Sequence, residues 1–320
     1  PQLTTIRQNG QTIDVVAVAS KTGYLYVFDR VTGRPIWPIE ERPVSTKTDV
    51  PGEAVWPTQP FPTNPPPFSR QSFTADDLNP YLLTPAEREE FRQRITKARN
   101  NGNFTPIGFD DVIHMPGNQG GANWGSTAAN PTDGSVYVIG FNVPTIIRLL
   151  KPGEARQGRS GGAAGVVSTV EQPIVESFGL YPTIIKPPYT TLTAYDLNAG
   201  TIRWQIGLGD DLRLAAQGIK GTGTAATSKG GIIPTATGLV FATAADRKVH
   251  VYDRDTGAEI HALQLGGTTT GGPSMFELNG RQSLLATAAP SGGRGAGGGR
   301  AAAAETPAGP TGLIAYALPR

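Results

Sequence analysis

Lys21 is the first residue of this sequence whose type and position could do chemistry. It follows the apolar run that ends at Ala19 and precedes the turn Thr22-Gly23, so its side chain leaves the end of a strand. An ammonium group in such a position can stabilise negative charge that develops on a nearby oxygen. Most lysines in turns are simply solvated, and position alone favours that second interpretation.

Asn123 and Trp124 form the second candidate. They follow Gly120-Gly121, a glycine pair that permits a tight turn and lets the backbone approach another group closely. An Asn amide carries both donors and an acceptor, so it can bind the carbonyl oxygens of a ring. The alternative is that Asn123 is an ordinary turn residue and that Trp124 packs inside a sheet.

The histidines and paired aspartates give weaker signals. His114, His250 and His261 share no spacing that is typical of metal ligands, and the last two fall within predicted strands, where packing or exposure is the expected role. Asp110-Asp111 could be a catalytic carboxylate pair, but such pairs are more often solvated turns. We therefore predict no metal site among these residues.

The elements that must position these residues are short strands joined by turns. The chain has 320 residues, including 41 glycines and 28 prolines, and only 17% of its residues are charged. A net charge of +2, with both signs interspersed, predicts no nucleic-acid partner. The absence of cysteine excludes disulfides and thiolate sites. Because the chain starts at Pro1 without a methionine, we expect it to be part of a longer protein.

Three segments repeat one pattern: a strand ending in an aromatic residue and Asp, a turn that closes on Gly, and a second strand ending in Trp or His. They are residues 24–37, 191–204 and 248–261. Asp caps such a turn and Gly adopts its positive φ, which is typical of a β-hairpin. Each hairpin follows another strand, at residues 15–19, 136–141 and 239–244, and residues 283–288 with 312–318 make a fourth, shorter unit. Four such units predict four propeller blades.

A long insertion, residues 43–133, interrupts the repeat. It contains a Pro-rich stretch and a helix predicted over residues 85–98, for which Thr84, Pro85 and Glu87 form a capping box. Insertions of this kind project from one rim of a propeller, where binding sites lie. Residues 290–309, rich in Gly and Ala, are predicted to form a mobile loop because they offer little side chain to bury.

Several motifs hold their order and spacing along most of the chain. They are Ala19–Arg30, Pro57–Phe61, Phe104-Thr105-Pro106, Pro116–Gly125, Gly238–Phe241 and Asp246-Arg247-Lys248. Each is weak alone. Together they resemble the PQQ-dependent (quinoprotein) dehydrogenases of the membrane glucose dehydrogenase type, which include the quinate and shikimate enzymes.

The resemblance implies an all-β fold, an eight-bladed β-propeller of which this chain supplies about four blades, with one inserted helix and long rim loops. It implies that PQQ lies flat near the propeller axis. Lys21 would then be catalytic, beside the quinone carbonyls of PQQ. Asn123, Trp124 and the glycine pair Gly230 and Gly231 would also contact the cofactor.

The same resemblance implies oxidation of a sugar or polyol, with hydride passed to PQQ and electrons passed to a membrane quinone. The general base and the ligands of Ca²⁺ or Mg²⁺ are expected outside this chain, in N-terminal blades supplied by the parent chain or by a second chain. We expect a periplasmic protein that is membrane-associated through that N-terminal region, and a fragment that is inactive alone. The alternative is a non-catalytic propeller that serves as a protein-binding scaffold, which would have no need of Lys21 or of the loop around Asn123.

Overall fold

The computed structural model describes residues 1–123, 127–156, 165–170, 172–178, 184–225, 230–269, 271–289 and 309–317. These residues form nineteen strands and two α-helices. The first ten strands are β1 (Gln2–Gln8), β2 (Gln11–Ala19), β3 (Leu25–Asp29), β4 (Ile39–Pro43), β5 (Thr58–Pro62), β6 (Val112–His114), β7 (Thr127–Ala129), β8 (Ser135–Phe141), β9 (Thr145–Leu149) and β10 (Val175–Phe178). The others are β11 (Thr190–Asp196), β12 (Thr201–Gly207), β13 (Ile232–Pro234), β14 (Leu239–Ala244), β15 (Lys248–Asp253), β16 (Glu259–Gln264), β17 (Ser274–Leu278), β18 (Arg281–Ala288) and β19 (Gly312–Ala317). The helices are α1 (Pro85–Lys97) and α2 (Leu212–Ala215).

Four antiparallel sheets follow one another along the chain. Their strand orders are β1-β2-β3, β12-β11-β8-β7, β13-β14-β15-β16 and β17-β18-β19. We call them the first to fourth blades. The four predicted units are therefore present. Each also contains a first strand that the repeat pattern did not predict: β1, β7, β13 or β17.

The core lies between neighbouring blades, because each sheet buries a face against the next. Ile6, Leu25 and Tyr195 belong to the cluster between the first and second blades. Trp204 and Tyr252 belong to the cluster between the second and third. The central strand β8 is buried at every position, as a strand covered on both faces must be.

The hairpin predicted after Asp29 forms only in part. The Asp29 carboxylate accepts hydrogen bonds from the amides of Val31 and Thr32 at 2.8 and 2.7 Å, as predicted for the turn. Beyond the turn, however, Pro35 makes one isolated bridge to Phe28 instead of a strand. Proline has no amide hydrogen to donate, so the first blade stops at three strands. The prediction that the second strand ends in Trp or His was also wrong: Trp37 lies outside any strand, and Trp204 and His261 lie inside β12 and β16.

Two of the three turn glycines of the repeat, Gly200 and Gly257, meet a tryptophan of the preceding blade. A Cβ atom built on Gly200 would lie 2.6 Å from Cζ2 of Trp37, and one built on Gly257 would lie 2.7 Å from Cδ2 of Trp204. The repeated Trp and Gly are thus the two halves of one contact between blades.

Helix α1, a two-stranded sheet of β4 and β5, and strand β6 lie between the first and second blades in sequence, and β6 joins a second small sheet with β9 and β10. Strand β9 pairs with both β6 and β10, although β9 and β10 lie between the paired blade strands β8 and β11 in sequence. Strand β7 pairs with β8 of the second blade, although its residues fall within the range 43–133 predicted for the insertion. Helix α1 starts at Pro85 as predicted and ends at Lys97, one residue early. Its capping box is present: the Glu87 amide donates to Thr84 Oγ1 and the Thr84 amide donates to Glu87 Oε2.

Two further features of the chain are its Gly- and Ala-rich segment and the length of its helices. The loop predicted over residues 290–309 lies outside the described residues, apart from Gly309. Within the part of the chain that the structure describes, no helix combines the length and apolarity that a bilayer crossing requires.

Candidate functional site

Four of the predicted site residues, Lys21, Asn123, Gly230 and Gly231, lie at one end of the blades. Adjacent antiparallel strands run in opposite directions, so the turn between a blade's second and third strands lies at the same end as the connection into the next blade. Lys21 is in the β2–β3 turn, Asn123 just precedes β7, and Gly230-Gly231 just precedes β13. We call this end the Lys21 rim: residues 20–24, 116–123, 230–231 and the β14–β15 turn, 245–247.

The Lys21 turn is tightly closed. The Ser20 amide donates to the Tyr24 carbonyl at 2.9 Å and the Gly23 amide donates to the Ser20 carbonyl at 3.1 Å. Gly23 has φ +85°, a conformation that glycine adopts without strain. The Lys21 side chain is exposed. The turn therefore fixes the backbone of Lys21 and leaves its ammonium group at the surface of the rim.

The glycine pair before Asn123 packs directly on Lys21. A Cβ atom on Gly120 would lie 2.7 Å from both Cβ and Cγ of Lys21, so only glycine fits there. The Gly121 amide donates to the Lys21 carbonyl at 2.8 Å, and the Gly121 carbonyl accepts from the Phe141 amide at 2.7 Å. The structure thus brings Lys21 and the Asn123 loop together, and Gly121 joins the Lys21 turn of the first blade to the end of β8 in the second.

Asn123 follows this contact by two residues and its side chain is exposed. Trp124 lies outside the described residues. Because Asn123 is two residues from Gly121, its backbone lies near the Lys21 turn. The sequence predicted each of these residues separately, whereas their contact through Gly120-Gly121 is a finding of the structure.

Gly230 and Gly231 are both buried on the same rim, further along the propeller. The Gly231 amide donates to Thr243 Oγ1 at 3.0 Å. A Cβ atom on Gly231 would lie 2.5 Å from the Cα of Gly272 and 3.0 Å from Cδ of Pro273. Gly231 therefore packs closely against the connection into the fourth blade. This close packing explains why the residue at this position is glycine.

His250 lies between two carboxylates, an arrangement that the sequence did not predict. Its Nε2 is 3.0 Å from Asp246 Oδ2 and its Nδ1 is 3.1 Å from Glu259 Oε2. The imidazole is only 3% exposed and stacks on Tyr252, with 5.9 Å between ring centroids. Asp246 also accepts a hydrogen bond from the Asp210 amide at 3.2 Å. The cluster therefore ties the β14–β15 turn to the connection that arrives from the second blade.

The two carboxylates set the charge of His250. Burial disfavours the imidazolium and would lower its pKa, but the hydrogen bond and charge of Asp246, together with Glu259, outweigh burial and raise the pKa of His250 above 6.5. Asp246 already stood in a matched motif. The Glu259 side chain could be recognised as a partner of His250 only once the β15–β16 register was known.

Among the residues that the structure describes, no group of three or more His, Cys, Asp or Glu side chains is arranged to hold a metal ion. His114 instead lies 2.9 Å from the Thr105 carbonyl through Nε2. Asp111, of the pair considered as catalytic carboxylates, binds Arg94 of α1 at 2.5 Å. These residues have structural partners.

The donor set at the Lys21 rim fits PQQ in chemical terms. PQQ carries quinone carbonyl and carboxylate oxygens, which all accept hydrogen bonds. Lys21 carries an ammonium group and Asn123 a side-chain amide, and both residues are at exposed positions on the Lys21 rim. Gly120 packs closely against the Cβ and Cγ atoms of Lys21, so the base of this side chain has a defined position on the rim.

Comparison with known proteins identifies relatives of one kind. The quinate/shikimate dehydrogenase (quinone) of Acinetobacter baylyi is 29% identical over 300 residues, which cover 88% of this chain and 37% of the relative. The large subunit of glycerol dehydrogenase from Gluconobacter oxydans is 29% identical over 306 residues, covering 86% and 40%. The quinoprotein glucose dehydrogenase of Escherichia coli is 27% identical over 343 residues, covering 100% and 40%. The chain thus spans 37–40% of the length of these relatives.

Solved structures show the same fold. The chain matches the quinohemoprotein alcohol dehydrogenase from Comamonas testosteroni with a TM-score of 0.50 and 20% identity, over 90% of this chain and 34% of that one. It matches a europium-containing methanol dehydrogenase with a TM-score of 0.52 and 18% identity, over 89% and 38%. The predicted propeller fold is therefore confirmed.

The family match covers most of the sequence. The profile described as PQQ "Glucose/ethanol/alcohol dehydrogenase, beta-propeller domain" matches residues 1–284, which include all four blades except part of the last. With the four successive sheets and the relatives above, this confirms the family that the motifs predicted. The chain belongs to the β-propeller domain family of the PQQ-dependent glucose, ethanol and alcohol dehydrogenases.

Proposed function

We propose that the protein containing this chain is a PQQ-dependent dehydrogenase that oxidises a hydroxyl group of a sugar or polyol, with Lys21 as the catalytic residue of this chain. One observation carries the proposal: the Lys21 turn and the Asn123 loop, separate in sequence, are locked together on one rim of a propeller of this family.

The reaction is a two-electron oxidation of an alcohol carbon to a carbonyl. When bound, PQQ supplies the quinone that accepts the hydride from that carbon. Lys21 donates a hydrogen bond from its ammonium group and stabilises negative charge on the oxygen in front of it. Asn123 holds the cofactor through its amide. Glycine at position 120 leaves room for the Lys21 side chain, since a larger residue there would displace its Cβ and Cγ atoms.

The remaining parts of the active site belong, in this proposal, to blades outside this chain. They are the general base and the ligands of Ca²⁺ or Mg²⁺, in N-terminal blades of the parent chain or of a second chain. Trp124, Gly230 and Gly231 are proposed as further cofactor contacts. The proposed electron acceptor is a membrane quinone, which the names of quinone-linked relatives support. We also propose a periplasmic location, with attachment to the membrane through the N-terminal region.

The test compares two lysine variants of the full-length protein, reconstituted with PQQ and Ca²⁺ or Mg²⁺. Lys21→Met should lower kcat by roughly 10²-fold to 10³-fold, because charge stabilisation of this kind acts mainly in the transition state. Lys97→Met, at an exposed position of α1, is the matched control and should keep wild-type kcat. Equal activity of the Lys21 variant and the control would exclude Lys21 from catalysis.

A second measurement tests the division of the site between chains. The 320-residue chain alone should bind PQQ weakly or not at all in a fluorescence titration, whereas the full-length protein should bind it and reduce a dye with an aldose. Tight binding by the chain alone would contradict the split site. A full-length protein that oxidises no alcohol or aldose would contradict the proposed activity and favour a scaffold.

A further inference from the structure

Three aromatic rings form a connected group beside the Lys21 turn. Tyr24 and Phe61 meet edge to face with 5.6 Å between ring centroids, and Phe61 and Phe104 meet in the same way at 5.9 Å. Tyr24 closes the Lys21 turn, Phe61 is in β5, and Phe104 is in the loop that follows α1. We call these three residues the aromatic platform. It brings two parts of the insertion to the Lys21 rim.

Phe104 has an unusual backbone for its residue type. Its φ is +64°, in the left-handed region that bulky side chains rarely adopt. Its side chain is nevertheless 38% exposed, so burial of the ring does not explain the conformation. Strained residues that persist in a fold occur preferentially at ligand sites, where the strain aims a side chain.

A hydrogen-bonded link fixes the Phe104 loop relative to Lys21. The side-chain amide of Asn103 donates through Nδ2 to Gln71 Oε1 at 2.5 Å. Gln71 Nε2 in turn donates to the Thr22 carbonyl at 3.0 Å. Asn103 precedes Phe104, and Thr22 follows Lys21. The exposed ring and the exposed ammonium group are therefore attached to backbone segments that one glutamine holds together.

Arg42 and Glu40 form a polar pair next to the aromatic platform. The guanidinium carbon of Arg42 lies 5.5 Å from the centroid of Phe61. Arg42 also binds Glu40 through two hydrogen bonds of 3.1 and 3.0 Å, and both side chains remain about half exposed, at 43% and 55%. The pair has little net charge and offers both donors and acceptors, as a neutral hydroxylated ligand requires.

We propose that Phe104 is the stacking surface of a substrate subsite for the ring of a cyclic polyol or pyranose, with Arg42 and Glu40 as partners of its hydroxyl groups. This inference rests on the proposed dehydrogenase function and specifies which alcohols it selects. The C–H groups on one face of such a ring form an apolar surface that packs on an aromatic ring, while its hydroxyl groups point outward to polar partners. An open-chain polyol has no such face.

Tyr24 and Phe61 already anchor the β4–β5 hairpin to the first blade, through their own contact and through the hydrogen bond from the Tyr26 hydroxyl to the Pro60 carbonyl at 2.9 Å. Phe104 is the most exposed member of the platform, so it adds least to that anchoring. Its exposure is what a stacking role needs.

The test replaces Phe104 with glycine in the full-length protein loaded with PQQ. Glycine suits a positive φ, so Phe104→Gly removes the ring without adding backbone strain. KM for D-glucose and quinate should rise about fivefold to tenfold, while KM for glycerol stays within about twofold. Phe104→Tyr should retain the KM of the wild type. Phe276→Ala removes a ring of similar exposure, 43%, from β17 and should change neither KM.

A second readout does not depend on turnover. Saturating D-glucose should raise the thermal midpoint of the PQQ-free wild-type protein, and this shift should disappear in Phe104→Gly, while the midpoints without sugar agree. A shift that survives in Phe104→Gly, or equal losses for ring and open-chain substrates, would overturn the subsite. A lower midpoint of Phe104→Gly without sugar would assign the ring a structural role instead. If the wild type oxidises no alcohol, the proposed function fails, and the glucose shift still decides the subsite.

Discussion

The indole ring of Trp204 lies on the backbone of Gly257 in the neighbouring blade. Its Nε1 donates a hydrogen bond of 2.8 Å to the Arg254 carbonyl, three residues before that glycine. Trp37 and Gly200 repeat the packing contact between the first and second blades. The turns of the second and third blades thus close their own hairpins and also pack against the tryptophan of the blade before them.

The first prediction concerns this contact. Gly257→Ala would place Cβ 2.7 Å from the Trp204 ring and also strain a backbone with φ +72°. Gly33 has the same backbone, φ +71°, with nothing within 4 Å of the added carbon. Gly257→Ala should therefore destabilise the protein by about 1–3 kcal/mol more than Gly33→Ala, measured by urea denaturation. Equal losses would show that only the backbone matters there.

The second prediction concerns the glycine that fixes Lys21. Gly120→Ala should lower kcat of the full-length enzyme about tenfold to hundredfold, because Cβ would displace the lysine stem, whereas Gly10→Ala should change it less than about twofold. The two glycines have similar φ, +82° and +77°, and only Gly120 has a neighbour within 4 Å. Steady-state kinetics with D-glucose would measure the difference. A fully active Gly120→Ala enzyme would mean that the position of Lys21 is unimportant.

The third prediction is a pH dependence of stability. The pKa of His250 is raised above 6.5 in the folded protein, so folding is favoured by binding the proton. This contribution is complete below pH 6.5 and is lost as the pH rises through the folded-state pKa. The advantage of wild type over His250→Gln in free energy of unfolding should therefore fall as the pH rises above about 6.5. His261→Gln, at an exposed position of β16, is the control and should show no such trend. A pH-independent difference for His250→Gln would contradict the role of Asp246 and Glu259.

The fourth prediction concerns the attachment of the insertion. Asn79 is fully buried; its Nδ2 donates to the Tyr189 hydroxyl at 2.6 Å and to the Ile185 carbonyl at 3.1 Å, and its Oδ1 accepts from the amides of Tyr81 and Leu82. Asn79→Ala should lower the free energy of unfolding by about 2–3 kcal/mol, since it leaves buried groups without partners.

Tyr189→Phe completes a double-mutant cycle for that pair. The coupling between Asn79 and Tyr189 should be about 1 kcal/mol. The cycle separates their mutual hydrogen bond from the other contacts of Asn79. Additive losses would mean that the 2.6 Å contact adds no stability of its own.

The sequence predicted what depends on local chemistry. The Asp29, Asp196 and Asp253 turns were recognised because an Asp cap and a glycine with positive φ act within a few residues. The helix start at Pro85 was recognised for the same reason. The first strand of each blade was not predicted, because these strands are short or show little alternation of apolar and polar residues. Strand β7, for example, has three residues.

What depends on distant partners was not predicted. Strand β9 pairs with β6 although the blade strands β7 and β8 lie between them in sequence. Trp204 packs against a glycine of the following repeat. The left-handed backbone of Phe104 has no signal in its residue type. For the site, the candidates Lys21 and Asn123 came from motifs, whereas their contact through Gly121 required the folded chain. Their roles toward PQQ stay predictions.

The hydrogen bonds of Gly121 have a consequence for protein engineering. Its amide holds the Lys21 turn of the first blade, and its carbonyl holds the end of β8 in the second. Because both bonds join main-chain groups, a chimera that exchanges one blade between relatives keeps this joint only where the two parents share the backbone conformation of residues 20–24, 116–123 and 135–141.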